Sequence, residues 1–198
     1  DAINQLSQQN NGGTVRLTEG EFNLTGNLDL KSKIYLIGSG KDKTLLKAGE
    51  ELIQPVVVKK PWEINDKTIF EGGDVFVQSR TAIENMTLKQ MSINAKDKIE
   101  DVRIANIKII DEQELTSISI KIRGTRIEIT GSEVATVDSE KGKNASFNSD
   151  NWVHNNIFTG EHLYSHAGIF PYGERGVIEK NHFKNEWPVG PDGEKRME

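Results

Sequence analysis

From Val15 onward the chain alternates apolar and polar residues in short bursts: Val15 and Leu17, Phe22 and Leu24, Leu28 and Leu30, Ile34 and Leu36. The gaps hold Gly, Asn, Ser or Lys. A period of two marks a half-buried strand, and each burst is too short for an ordinary hairpin arm. Further along, the bursts become a recognisable unit. Ile83-Glu-Asn85-Met86-Thr-Leu88 is answered by Ile104-Ala-Asn106-Ile107-Lys-Ile109, then by a degenerate copy, Ile129-Thr-Gly131-Ser132-Glu-Val134. Val153-His-Asn-Asn156-Ile-Phe158 and Ile178-Glu-Lys-Asn181-His-Phe183 follow. The turn residue is expected at 85, 106, 131, 156 and 181, with spacings of 21, 25, 25 and 25.

Repeats of this length build solenoids. Three short strands and three turns per coil predict an all-β fold, a right-handed parallel β-helix of about eight coils. Asn and Gly suit bends that need a left-handed backbone, and stacked Asn side chains can bond one another along the axis. The flanking apolar residues then form inward columns at about 4.8 Å. An antiparallel sandwich would place Asn-Gly or Asp-Gly turns between its strands. The two matches, Asn11-Gly12 and Asp192-Gly193, lie before the first burst and after the last repeat.

Residues 1–10 read as an N-terminal cap, a short helix with Ala2, Ile3 and Leu6 on one face, because the first open coil of a solenoid must be covered. The expected organisation is a single domain over 1–198, with a long functional loop at 159–176 and an irregular polar tail at 188–198. The tail offers little to plug the core, so this end is expected to be closed by further chain, another subunit or a loop. On that reading the chain is a piece of a longer one, or self-associates there.

Composition narrows the function. Hydrophobic residues are 35% and charged residues 28%, a balance that suits a solenoid with its large surface. The net charge of −5 argues against a nucleic-acid partner. No apolar run approaches the roughly 20 residues of a membrane span. The absence of cysteine removes disulfides, thiolate metal sites and thiol nucleophiles. The chain opens on Asp1 with no leader in front of it, and a removed leader is expected for a secreted, periplasmic or cell-surface protein.

The opening carries a resemblance. Ala2-Ile3, Gly12-Gly13-Thr14-Val15, Gly20-Glu-Phe22, Leu36-Ile37-Gly38-Ser39-Gly40 and Thr44-Leu45-Leu46 together resemble the start of the pectate-lyase-like superfamily. The segments 151–158 and 177–183 look like paired coils of polysaccharide lyases. The resemblance implies the β-helix and a polysaccharide partner. By analogy it brings calcium into consideration, yet the acidic calcium cluster of the pectate lyases is missing, so the cofactor stays unassigned: the corresponding segment reads Gly160-Glu161-His162-Leu163-Tyr164-Ser165-His166. No metal ligands are therefore assigned. The Asp-Pro-His motif of the epimerases is also missing.

All four histidines fall between 154 and 182. The candidate catalytic residues are Glu161, His162, His166, Arg175 and Lys180; the candidate substrate-binding residues are Trp152, His154, Tyr164, Tyr172 and Glu179. A uronate lyase needs a base to take the proton α to the carboxylate and a cation to stabilise the enolate, and these residue types supply both. A glycoside hydrolase needs two carboxylates, for which Glu161 with Glu179 or Asp150 would serve. The plainer reading makes His154 and His182 outward surface residues beside turn asparagines. Two functions follow. One is a lyase or hydrolase of an acidic polysaccharide acting through 150–182. The other is a non-catalytic carbohydrate-binding, adhesin or phage-fibre module.

Overall fold

The computed structural model describes residues 2–58, 67–110, 120–134, 136–138, 149–160, 168–170 and 174–185. The expected tail at 188–198 and most of the loop at 159–176 lie outside this set. The described strands wind into a parallel β-helix. A main sheet of 12 strands and a back sheet of 6 face each other across one core. The main sheet has two legs. The first stacks Gly13–Arg16, Ile34–Ile37, Ala82–Lys89, Ile99–Ile110, Gly124–Thr130, Trp152–His154 and Val177–Glu179 in that order. The second leg stacks Gly20–Leu24 on Thr44–Ala48, passes through the far halves of the two long strands, and continues with Glu133–Val134, Ile157–Gly160 and His182–Asn185. The back sheet runs from Leu28–Asp29 through Gly73–Phe76, Met91–Asn94, Ile120–Lys121 and Thr136–Asp138 to Gly168–Phe170.

The alternating bursts become inward columns. Val15, Leu36, Ile83, Ile104, Ile129, Val153 and Ile178 are successive register partners in the first leg. Ile83 and Ile104 are fully buried, whereas Ile178 on the last described turn is 45% exposed. Leu28, Val75, Ile93 and Ile120 form the corresponding column of the back sheet. The coil count is below the eight expected: about five turns enclose the buried core. One reason is an excursion that the periodicity did not announce. Between two turns, Gln54–Val58 and Lys67–Glu71 pair as an antiparallel hairpin outside the solenoid ladders. The N-terminal helix is Ala2–Ser7, with Ile3 buried and Leu6 packed on the core. A Cβ on Gly13 would meet the tip of the Leu6 side chain at 2.7 Å, so the cap packs closely over this glycine.

Each turn bends at two corners of the main sheet, and both corners use left-handed backbone. At the first, Gly12, Lys33, Arg80, Asp101, Arg126, Asp150 and Arg175 all have positive φ. At the corner between the legs the same holds for Asn85, Asn106, Gly131, Asn155 and Lys180. The last two correct the sequence register. The repeat placed the turn residue at 156 and 181, but the bend falls one residue earlier, because the neighbouring asparagine is wanted inside the ladder. Asn156 is 1% exposed. Its Oδ1 accepts from Ser132 N (2.9 Å), and its Nδ2 donates to Ile129 O (2.9 Å) and Asn181 Oδ1 (3.0 Å). Asn181 repeats the clasp one turn on, accepting from Asn156 N (3.0 Å) and donating to Val153 O (2.8 Å). Asn151 does so at the first corner, with Ile127 N (3.0 Å) and Gly124 O (3.1 Å). A carboxamide can do this because it carries both a donor and an acceptor. The expected side-chain stacking is also present, since Asn106 Nδ2 donates to Asn85 Oδ1 at 2.8 Å.

The first corner is a ladder of alternating charge: Arg80, Asp101, Arg126, Asp150, Arg175. Arg126 grips Asp101 through Nε (2.6 Å) and Nη2 (3.0 Å), and Arg175 grips Asp150 through the same two nitrogens (2.7 and 2.8 Å). The guanidinium hydrogen bonds hold both aspartates below their ordinary carboxylate range.

Two outcomes test these corners. Asn156→Gly should destabilise the protein by about 3 kcal/mol in urea unfolding, since it strands a buried N–H and a buried C=O. Asn155→Gly, at the residue that bends, should cost about 1 kcal/mol or less. For the charge ladder, a carboxylate with a lowered folded pKa stabilises fully above the unfolded value, and loses that contribution as pH falls through the folded one. An Asp101→Asn/Asp150→Asn variant should therefore melt below the parent at neutral pH. The gap should close once the pH drops beneath the ordinary aspartate range.

Candidate functional site

The solvent face of the first leg carries two outward columns. One runs Tyr35, Ala82, Arg103, Glu128, Trp152, Val177; the other runs Ile37, Glu84, Ala105, Thr130, His154, Glu179. Because side chains alternate across a strand, the residues flanking each buried Ile or Val must point out. Parallel stacking then brings them within reach of the same columns on adjacent turns.

The columns are linked by a chain of polar contacts. Arg103 reaches Glu84 through Nε (3.1 Å) and Glu128 through Nη1 (3.1 Å). The other oxygen of Glu128 lies 3.0 Å from His154 Nε2. Asn155 Nδ2 faces His154 Nδ1 at 2.6 Å, so Nδ1 accepts and Nε2 carries the proton given to Glu128. The indole of Trp152 stacks on the imidazole with centroids 3.8 Å apart and a 20° interplanar angle. Its Nε1 donates to Glu179 Oε1 at 3.3 Å. Trp152 is held from beneath and along its edge, yet 42% of it remains exposed.

Of the predicted binding residues, the structure brings together Trp152, His154 and Glu179. His154 is not the solvated surface residue of the plainer reading: it is 8% exposed, wedged between Trp152 and Glu128. Of the predicted catalytic residues, Arg175 and Lys180 are described. They stand at the two ends of the strand Val177–Glu179, Arg175 bidentate on Asp150 and Lys180 in the bend between the legs. Glu161, His162, Tyr164, His166 and Tyr172 lie outside the described residues. Among the described residues no cluster of His, Asp and Glu could hold a metal ion. Calcium does not fit the described face, because Glu84 and Glu128 are both claimed by Arg103. No described helix is long and apolar enough to cross a membrane.

Sequence reasoning missed Glu84, Arg103 and Glu128. The signal was present in the repeat. Glu84 occupies the same repeat position as His154 and Glu179, and Arg103 and Glu128 the position of Trp152. Reading the outward positions of every copy, rather than searching for a local cluster of histidines, would have assembled the chain of contacts.

A cleft of about 360 Å³ lies elsewhere, at the edge of the back sheet, lined by Asp29, Lys31, Phe76, Gln78 and Lys96 among others. Lys96 sits 4.1 Å above the Phe76 ring and 3.1 Å from Asp29. None of the predicted site residues lines it.

The fold has known counterparts. The mannuronan C-5 epimerase AlgE6 A-module of Azotobacter vinelandii superposes with a TM-score of 0.53 at 13% identity, over 91% of this chain and 51% of that one. The surface protein and adhesin PfbA of Streptococcus pneumoniae gives a TM-score of 0.51 at 16% identity, over 91% of this chain and 61% of that one. The chain thus spans between half and two thirds of these structures. No curated protein sequence matches it. A family model described as rhamnogalacturonase A/epimerase, pectate lyase-like, matches residues 1–188. With the parallel ladders, the N-terminal helix and the inward columns in place among the described residues of that span, the chain belongs to the rhamnogalacturonase A/epimerase, pectate lyase-like family.

Proposed function

We propose that this protein holds a polysaccharide against the solvent face of its first leg and acts on it, as a lyase or hydrolase, with residues of the 150–182 region. The observation that carries the reading is the Trp152 platform. A half-exposed indole, fixed by His154 below and Glu179 at its edge, offers a rigid apolar plane to a sugar ring with polar groups beside it. Pre-fixing the ring lowers the ordering cost of binding. Sites of this make-up, an aromatic surface with a few placed polar groups, are what carbohydrate and other small polar ligands need.

The described carboxylates do not themselves form a hydrolase pair. Such a pair needs two carboxylates free to face the glycosidic bond, whereas Glu84 and Glu128 are both ion-paired to Arg103. The chemistry is therefore assigned to Glu161, His162 and His166, with Arg175 and Lys180 as the cations at either end of the neighbouring strand. A base from this group would take the proton α to a uronate, with a cation meeting the enolate; alternatively Glu161 would pair with Glu179 or Asp150 for hydrolysis. The expected setting is the cell surface or the exterior, where polysaccharides are met.

One observation favours the second reading, a non-catalytic binding module. In the chain from Glu84 to His154, each ionisable side chain is already paired within the protein, as suits a rigid platform rather than a reactive base. The fold does not choose between the two, since unrelated activities share it.

Incubation with a panel of acidic and neutral polysaccharides discriminates. Ultraviolet absorbance from unsaturated uronates selects the lyase, and reducing ends without absorbance select the hydrolase. Retained binding without either product selects the module. Trp152→Ala should weaken binding about tenfold. Single His162→Ala, Arg175→Ala and Lys180→Ala variants should lose turnover while still binding; if all three stay active, the catalytic assignment fails.

A further inference from the structure

We infer that Glu179 and Glu128 set the class of sugar taken at Trp152: the ring that stacks there carries hydroxyls and no carboxylate or sulfate. This rests on the sugar-binding reading above and adds a charge selection to it.

From the strand Ala82–Lys89 onward, the charged residues of the two outward columns are Glu84, Arg103, Glu128 and Glu179. Three carboxylates stand against one guanidinium. Arg103 is taken up by Glu84 and Glu128, at 3.1 Å from each. Arg16 is the other cation of these columns, on the first turn, far from Trp152. Arg175 and Lys180 belong to the corner and the bend that flank the following strand, the former bidentate on Asp150.

Among the described residues, the indole is held by two groups, neither of them a cation. It lies on His154, whose single proton goes to Glu128, and its Nε1 donates to Glu179 Oε1 at 3.3 Å. Glu128 is the register partner of Trp152 on the preceding turn, and Glu179 that of His154 on the following one. A carboxylate therefore flanks the platform on both sides, each about one strand spacing away.

This pattern sorts sugars by charge. An ionised carboxylate accepts hydrogen bonds and donates none. Glu179 can take a hydroxyl proton from a ring lying on Trp152, while the apolar face of that ring covers the indole. A uronate or sulfated ring instead brings an anion to the rim of the stack, within about 5 Å of one glutamate or the other. At that range the repulsion between like charges weakens binding by about tenfold at a surface. Juxtaposed like charges are a general means of rejecting a wrong ligand. If the protein is a lyase, the uronate that it cleaves lies elsewhere than on Trp152.

The experiment compares tetragalacturonate with its methyl ester, which removes the charge and keeps the linkage. Calorimetric affinities are measured for the parent, Glu179→Gln and Trp152→Ala proteins. Glu179→Gln loses the charge but keeps a carbonyl oxygen for Trp152 Nε1. In low salt the parent should bind the ester about tenfold more tightly than the acid. That gap should narrow at about 1 M salt, where screening acts within roughly 3 Å. Glu179→Gln should strengthen the acid about threefold and leave the ester within about twofold of the parent. Trp152→Ala should weaken the ester about tenfold. Suppose Trp152→Ala weakens the ester, yet the parent binds acid and ester equally or Glu179→Gln keeps the whole gap. The charge selection is then overturned and the platform stands. If neither chain binds the parent, or Trp152→Ala binds the ester as the parent does, the platform reading falls and the selection with it.

Discussion

The structure depends on how a bent backbone satisfies its hydrogen bonds. A parallel ladder pairs each strand with the turns above and below, but a residue in the left-handed conformation breaks that pairing and leaves the next N–H without its strand partner. Buried, an unpaired N–H costs of the order of 1–3 kcal/mol. Asn151, Asn156 and Asn181 each solve the problem identically, taking an N–H from the adjacent turn with one end of the carboxamide and giving a hydrogen bond to its carbonyl with the other. The bends at Arg126, Gly131 and Asn155 are thereby tied to the turn that follows, and the strands beside them are held in register.

Register, in turn, decides the site. Slipping one strand by a single residue would turn its outward side chains into the core. With the bends clasped, Arg103 stacks beside Glu128, Glu128 beside Trp152, and His154 beside Glu179, although neighbouring turns are some 25 residues apart in sequence. The site is a property of the stacking. Apart from the local contacts of His154 with Trp152 and Asn155, its contacts join adjoining turns, and the platform is only as well placed as the corners that flank it.

The first corner adds a different constraint. Left-handed backbone is costly for residues other than Gly, Asn and Asp, yet Lys33, Arg80, Arg126 and Arg175 adopt it. Alternation with Asp101 and Asp150 gives Arg80, Arg126 and Arg175 opposite charges on adjoining turns, so that these bends reinforce one another along the axis. Arg175 is part of this ladder. Any role in chemistry would have to be reconciled with its bidentate hold on Asp150, and the single-residue turnover tests separate the two roles.

Much of this was legible in the sequence. The bursts of alternation and the repeat from Ile83 to Phe183 determined the solenoid and its inward columns, because burial imposes a period of two on any strand whatever its neighbours. The resemblance of the opening residues pointed to the right superfamily, and Trp152, His154 and Glu179 were among the residues named as candidates for binding. The tertiary structure decided the rest. Which of two adjacent residues bends, Asn155 or Asn156, turned on which was needed to clasp the preceding turn. The hairpin at Gln54–Val58 and Lys67–Glu71 was not legible, because its two strands pair with each other outside the solenoid ladders. Glu84, Arg103 and Glu128 join the site only when the turns are stacked. A sequence states which residues face out; only the stacking of turns, about 4.8 Å apart, states which of them meet.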